Sequence, residues 1–334
     1  MSMLKTKPAT PGRTLAAALA ELRIDADMDQ VGVGARTVEA DDPVAFRATL
    51  ATALYEFWHA GTAERETTPA GVRRSPAYEH ELTMAFPHTG SVTKATVHAL
   101  PDGDGDGSAL GVIEVNRVRI AVPAQAVAGH AKGEEILVQL PAARPMLSPG
   151  FLYATGAAGG ADGANVLRMY VHVQDPAHGP ALWHTVLSTL EARGARYGAK
   201  ALSRPESHPR RDAIVLYLPQ SAWSCVPDLV RALDGAPGLG EATSVLARRV
   251  APGLALAWEP TDVRPGRTRV SFGQHRTIAV ACGVVRHMSD GVDLEQAVAE
   301  ELNSAGVDPA EPARNLDSPA FPDTGSARRA RSGS

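Results

Sequence analysis

The chain is poor in cysteine and in lysine. Its two cysteines, Cys225 and Cys282, lie far apart among apolar residues. They offer neither metal-ligand spacing nor a disulfide framework, and a reducing cytoplasm is the expected setting. No apolar run approaches the ~20 residues that span a bilayer. The opening Met-Ser-Met-Leu-Lys-Thr-Lys-Pro lacks the apolar stretch of a secretory signal. A membrane is therefore not an expected partner. The chain contains no His-Glu-x-x-His, Cys-x-x-Cys, Gly-x-x-x-x-Gly-Lys or Gly-x-Ser-x-Gly, and no Asp/Glu cluster suited to magnesium. Zinc-hydrolase, P-loop kinase and serine-hydrolase signatures are thus missing, and the expectation is no metal and no organic cofactor.

What remains is ordinary in bulk and uneven in detail. Of 334 residues, 44% are hydrophobic and 21% charged, enough for one large domain or two smaller ones with a real core. A formal charge of −4 argues against a nucleic-acid partner. Between Arg144 and Arg286, however, sixteen Lys and Arg face ten Asp and Glu. That balance fits an anionic ligand, or a chain that habitually uses arginine on its surface.

Residues 1–13 and 309–334 are polar and read as disordered ends. Residues 14–145 read as a smaller helical and β region, a candidate platform for a peptide or a kinase. Residues 146–308 read as a larger catalytic region. Asp42-Pro43 is an N-cap followed by proline in the first helical turn, and Phe46, Leu50, Leu54, Phe57 and Trp58 recur at helical spacing. Residues 91–100 and 112–122 read as a hairpin pair. The connecting Asp102-Gly-Asp-Gly-Asp-Gly107 resembles a calcium loop, but loop position twelve is Ile113 where a bidentate Glu is required, so a plain loop is expected. Further strands are expected at 136–140, 166–173, 197–202, 213–218 and within 243–258, and helices at 175–193, 222–232, 276–287 and 294–302. The mixture lacks βαβ alternation, which predicts an α+β fold with mixed or antiparallel sheets and packed helices.

Lys200 stands out. The lysines are Lys5, Lys7, Lys94, Lys132 and Lys200; every other basic residue is arginine. A lysine amine can lose its proton inside a protein and act as a base, which an arginine cannot. A chance surface lysine would look the same. In Val166-Leu-Arg-Met-Tyr-Val-His-Val173, strand alternation puts Arg168, Tyr170 and His172 on one face. That face is either an anion site with proton-transfer groups or the wet side of an antiparallel strand. In Ser271-Phe-Gly-Gln-His-Arg276 a glycine precedes an apolar helix, where free N–H groups and the helix dipole favour an anion. The alternative is a helix start with Arg276 solvated and His275 packed on the core. In His208-Pro-Arg-Arg-Asp212, Arg211 clamps a phosphate with Asp212 orienting it, or the two make a surface ion pair.

These blocks occur together with Pro149-Gly-Phe-Leu-Tyr153, Ala199-Lys-Ala-Leu202, Arg211-Asp-Ala-Ile-Val-Leu-Tyr217, Val250-Ala-Pro-Gly-Leu254 and Glu259-Pro260. Their order resembles the HopA-type effector family over about residues 43 to 307, and Tyr55-Glu-Phe-Trp58 is similar to that family's aromatic helix. The family includes bacterial type III effectors and the lyases of class V lanthipeptide and thioamitide biosynthesis, where the lyase is paired with a phosphotransferase. The resemblance implies elimination of phosphate from phosphoserine or phosphothreonine in a precursor peptide, leaving dehydroalanine or dehydrobutyrine, with no metal or cofactor. In that chemistry Lys200 is the base and His275 the acid, with Tyr170 and His172 in reserve. Arg168, Arg211 and Arg276 clamp the phosphate, and Asp212, Ser271, Gln274 and Glu259 support them. The chain departs from the family pattern at His172, where a polar amide is expected, and at His208-Pro-Arg-Arg, where a tyrosine is expected shortly before the arginine. Two other readings stay open: a noncatalytic phosphopeptide-binding or kinase-scaffold protein, and a secreted effector lyase.

Overall fold

A computed structural model describes residues 10–324, apart from 26, 28, 40, 41, 63–73, 102–108, 116 and 269. The first half carries α1 (Arg13–Ala20), β1 (Arg23–Ile24), β2 (Val31–Val33), β3 (Arg36–Val38), α2 (Pro43–Leu54), a π-helical turn (Tyr55–Ala60), α3 (Pro76–Met84), β4 (Gly90–Ala99), β5 (Leu110–Val115), β6 (Val118–Pro123) and β7 (Glu135–Pro141). The second carries β8 (Ala143–Ser148), β9 (Phe151–Thr155), β10 (Leu167–Val173), α4 (Gly179–Glu191), β11 (Gly198–Leu202), β12 (Arg210–Leu218), α5 (Val226–Leu233), β13 (Arg248–Ala251), β14 (Leu254–Trp258), α6 (Phe272–Asp290) and α7 (Leu294–Ser304). The fold is α+β.

The alternation in 166–173 builds the centre. Strands β13-β14-β10-β12-β11-β9-β8 form a seven-stranded sheet in that order, antiparallel throughout. On β10, Leu167, Met169, Val171 and Val173 pack with Leu182, Trp183 and Leu187 of α4 and Leu229 of α5. Tyr170, facing the other way, joins Leu50 and Leu54 of α2, Phe272 and Val280 of α6 and Leu302 of α7. A strand with side chains in two separate cores must be central, and covering both faces is what buries every residue of β10.

Residues 13–60 contribute to the α6 face of this sheet. Strands β6-β5-β4-β7 instead form a separate four-stranded sheet with its own core around Val97, Ile113 and Val138. The stretch expected as one region over 14–145 is thus built in two parts. The strand expected over 112–122 is a tight pair, β5 and β6. The calcium-like loop lies outside the described residues.

The helix signals work as their chemistry predicts. The Asp42 carboxylate accepts from Ala45 N–H at 2.8 Å, and Gly61, at φ 75°, ends the π turn in the left-handed region. The expected flexible tail over 309–334 is corrected for residues 309–321, while 325–334 lie outside the described residues. Pro309 O accepts from Gly12 N–H (3.0 Å), Ala313 O accepts from Trp258 N–H (2.8 Å), and Phe321 stacks on Trp258 at 5.6 Å. The polar composition of the segment conceals a few anchors that suffice to pin it down, and Gly12 is held by the same contact. No helix among the described residues is long and apolar enough to cross a membrane.

Candidate active site

Sheet register decides which side chains meet. Arg168 lies opposite Tyr217, Tyr170 opposite Val215, and Lys200 opposite both Val215 and Tyr153. Residues directly opposite on antiparallel strands share a face. Arg168, Tyr170, Tyr217, Lys200 and Tyr153 therefore point the same way, on the α6 side. A cleft of about 510 Å³ opens there, and Lys200, Arg168, Tyr170, Asp212, Glu259, Ser271 and Gln274 all line it.

Lys200 is partly buried, with Nζ 4.2 Å from the centre of the Phe151 ring. Among the described residues no carboxylate and no hydrogen-bond acceptor holds that nitrogen. Arg168 is committed: Nε and Nη2 both donate to the Glu259 carboxylate, the latter at 2.6 Å to Oε1. Its burial disfavours the cation, but Tyr170, Tyr217 and Glu259 outweigh burial and hold the pKa well above the ordinary value. The Tyr170 hydroxyl is buried next to Arg168 yet makes no hydrogen bond of good geometry. Burial drives its pKa far upward, so the phenol keeps its proton.

Asp212 reaches the cleft through a bulge. The β10–β12 register slips between Val171 and Val173, and both Ala213 and Ile214 enter the α4-side core. The broken alternation turns Asp212 to the face of Val215 and Tyr217. Arg210 grips it with Nε–Oδ1 at 2.7 Å and Nη2–Oδ2 at 2.8 Å, and the Tyr55 hydroxyl donates to Oδ2 at 3.1 Å. Burial raises the Asp212 pKa, but Arg210, His59 and Lys200 outweigh it and keep the carboxylate well below its usual range.

The π turn supplies the remaining wall. Its wide winding, common at functional sites, carries Tyr55 and His59 into the cleft. His59 Nδ1 is 2.9 Å from Ser244 Oγ, Nε2 is 3.8 Å from Asp212 Oδ2, and the ring meets Tyr170 edge-on at 5.1 Å. Burial, aided by Arg210, Arg168 and Lys200 and opposed by Asp212, pushes its pKa down to about 4. His59 is neutral at pH 7.

Residues 142–314, just over half of the chain, match the HopA1 effector protein family. The chain belongs to the HopA1 effector protein family. The match takes in Lys200, Arg168, Tyr170, Asp212, Glu259, Ser271 and Gln274; Tyr55 and His59 come from outside it. The chain is similar to two solved effector structures. One is the effector protein from Pseudomonas syringae pv. tomato strain DC3000, with 15% identity, a TM-score of 0.46, and coverage of 82% of this chain and 90% of that one. The other, from Pseudomonas syringae pv. syringae strain 61, has 13% identity, a TM-score of 0.46, and coverage of 83% and 99%. No curated protein matches the chain.

Four residues expected in the site lie elsewhere in this HopA1-family fold. His275 is 2% exposed. Its Nδ1 accepts from Arg276 Nη1 (2.8 Å), so Nε2 carries the proton and donates to Asp262 Oδ2 (3.0 Å). Burial first, then Arg276, pushes its pKa down to about 4, and the ring does not line the cleft, its one N–H being spent on Asp262. Arg276, fully buried, donates to Pro312 O (3.0 Å) and Asn315 Oδ1 (2.7 Å) and anchors the C-terminal segment. Arg211 Nη1 donates to Phe57 O at 3.0 Å and Trp58 O at 3.2 Å, so it caps the π turn. His172 Nδ1 donates to Ala242 O (3.0 Å) away from the cleft.

The glycine of the Ser271 block also has a different task. Gly273 lies inside the first turn of α6, and a Cβ there would come within 2.3 Å of the His59 ring. It lets α6 and the π turn meet closely. Ser271 caps the helix, its Oγ accepting from Gln274 N–H (3.3 Å) while Gln274 Oε1 accepts from Ser271 N–H (3.0 Å). Sequence reasoning missed His59 and Arg210. The Tyr55-Glu-Phe-Trp58 block adjoins the first, and the second is the neighbour of the arginine that was chosen. Among the described residues no group of His, Cys, Asp and Glu is arranged to hold a metal ion.

Proposed function

We propose that this cleft removes phosphate from phosphoserine or phosphothreonine in a peptide by elimination. The observation that carries the reading is one uncommitted amine among paired charges: Arg168 is tied to Glu259 and Arg210 to Asp212, whereas Lys200, set over the Phe151 ring, has no ion-pair or hydrogen-bond partner among the described residues. In its neutral form the Lys200 amine takes the Cα proton. The C–H electron pair becomes the Cα–Cβ double bond, the Cβ–O bond breaks, and the phosphate departs with its electron pair. Tyr170, whose phenol keeps its proton at neutral pH and makes no hydrogen bond of good geometry among the described residues, protonates the departing oxygen. Lys200 then holds the Cα proton and Tyr170 lacks one, so a single proton transfer resets the pair.

The phosphate needs a cationic seat. Arg168 uses Nε and Nη2 on Glu259 and retains Nη1 for a phosphate oxygen. The N-terminus of the 19-residue helix α6 opens on the cleft at Ser271 and Gln274 and adds its dipole. In this reading the protein works in the cytoplasm on a precursor peptide phosphorylated by a separate Ser/Thr kinase, and leaves dehydroalanine or dehydrobutyrine. Membership of an effector family supports a second setting for the same chemistry, a secreted lyase acting on phosphoproteins of a host. Binding without elimination is the competing function. The Lys200 nitrogen over Phe151 fits it, as a charged ammonium holding phosphate.

Mass spectrometry separates these. Wild type is expected to convert phosphopeptide to a product lighter by phosphoric acid, and Lys200→Ala to leave it unchanged while still binding it. A phosphopeptide that stays intact with wild type, or that returns as plain serine or threonine, overturns the proposal.

A further inference from the structure

A second cleft, of about 620 Å³, runs between the outward face of the four-stranded sheet and the β8–β9 edge of the seven-stranded sheet. We infer that it is the docking groove for the substrate peptide on one side of its phosphorylated residue. The inference deepens the proposed lyase function and rests on it for the identity of the ligand.

The groove sets exposed aliphatic side chains among charged ones, including the Lys94–Glu135 pair at 2.9 Å and the Arg196–Asp162 pair at 2.5 Å, and nothing described covers it. On β7, Ile136, Val138 and Leu140 turn into the small core, which leaves Leu137 outside at 72% exposure. Val92 on β4 and Leu147 at the end of β8 are 39% and 60% exposed and line the same cleft. Three exposed aliphatic side chains converging on one concavity mark a binding surface more than a solvated one. Arg144 adds a polar hold, since its Nη2 donates only to Thr93 Oγ1 at 3.2 Å among the described partners.

Continuity with the candidate active site identifies the occupant. Arg144 lies opposite Tyr153 on β9, and Tyr153 lies opposite Lys200 on β11, so one cross-strand row leads from the groove to the amine. Leu147 lines the groove and the next residue, Ser148, lines the cleft. Tyr153 of the groove and Tyr217 of the cleft stand with ring centres 6.3 Å apart. Met146, a non-glycine residue at φ 70°, bends β8 just before Leu147 of the groove and Ser148 of the cleft. A peptide with its phosphoresidue at Lys200 crosses Tyr153 in extended form and sets an apolar side chain against Leu137 and Leu147. A bulky aliphatic residue a few positions from the phosphorylated one is the recognition element this groove selects.

The test compares a phosphopentapeptide with peptides extended by about ten residues, a reach of ~33 Å, on the N-terminal or the C-terminal side. Wild type is expected to turn over one extended peptide with at least tenfold higher kcat/KM than the pentapeptide, the gain residing in KM. In Leu137→Asp that ratio falls toward one, and unchanged thermal melting confirms the fold, as 72% exposure at this position predicts. Fluorescence anisotropy with Lys200→Ala repeats the comparison without turnover, so a protein that binds the extended peptide preferentially but eliminates nothing refutes the lyase and keeps the groove. No gain from either extension overturns the groove. So does a Leu137→Asp variant that keeps the full gain, or one that changes only the oligomeric state, which would assign the face to a second copy of the chain.

Discussion

Lys200 and Arg276 are both withdrawn from bulk solvent to some degree, and the protein uses them in opposite ways. Arg276 is sealed in the core, and its guanidinium is divided among Pro312 O, Asn315 Oδ1 and His275 Nδ1. Burial lowers its pKa to about 9, still high enough to remain charged at pH 7. Lys200 has an aromatic ring beneath it, an open cleft above it and no described hydrogen-bond partner. A cation with every donor nitrogen engaged holds chain segments together. A cation with none assigned is available to a ligand. The first turn of α6 divides on the same line: Ser271 and Gln274 face the cleft, while His275 ties the helix to Asp262 and Arg276 ties it to the C-terminal segment.

Substitution at Lys200 gives the largest contrast. Lys200→Ala is expected to lower elimination at least ~10³-fold, within the range for loss of a general base, while the denaturation midpoint stays within error of wild type. Arg276→Ala is expected to do the reverse. It empties a buried site and strands the Pro312 carbonyl and the Asn315 side chain, at a cost of about 3 kcal/mol by urea denaturation, with residual folded protein retaining its turnover. If Arg276→Ala left stability intact and abolished catalysis, the assignment of the two cations would be exchanged.

Acid sharpens the comparison next. His59 and His275 have folded pKa values near 4 against 6.5 for a free imidazole, so the unfolded chain binds more protons between those limits. Their stabilisation is complete above pH 6.5 and is lost as pH falls toward 4, at up to about 3 kcal/mol for each ring. Asp212, held below its usual range, adds a further loss below pH ~4. Urea midpoints at pH 7.5, 6 and 5 should decline in that order, and a flat profile would contradict neutral buried rings. The smallest effect is expected at Tyr170→Phe. Removing a buried hydroxyl that makes no hydrogen bond of good geometry should leave stability unchanged or raise it slightly. Elimination should fall about tenfold or more if the phenol protonates the phosphate.

Much of this centre was legible in the sequence because β-strands alternate. Arg168 and Tyr170 were placed on one face by their spacing, and β10 obeys it. Lys200 was singled out by rarity and chemistry, and sheet register set it beside them. Alternation failed where the backbone is irregular. The bulge in β12 is invisible to a periodic pattern, so Arg211 was chosen when Arg210 holds Asp212. His172 shares the face of Tyr170 but sits at that register slip, and it spends its proton on Ala242. The roles of His275 and Arg276 depended on residues 309–321, whose prolines and acids read as a tail. Nothing local to that segment announces that Asn315 receives Arg276 or that Phe321 stacks on Trp258. His59 was missed for a related reason: its place in the cleft comes from the π turn and from Gly273, two accommodations with no periodic signature.

Whether the Lys200 amine takes a proton from carbon is read from a phosphothreonine peptide deuterated at Cα. Wild type should release phosphate with a primary isotope effect and leave a dehydrated residue without the deuterium, and Lys200→Ala should release none. Phosphate released with the deuterium still on Cα, or released as fast by Lys200→Ala, would contradict the account.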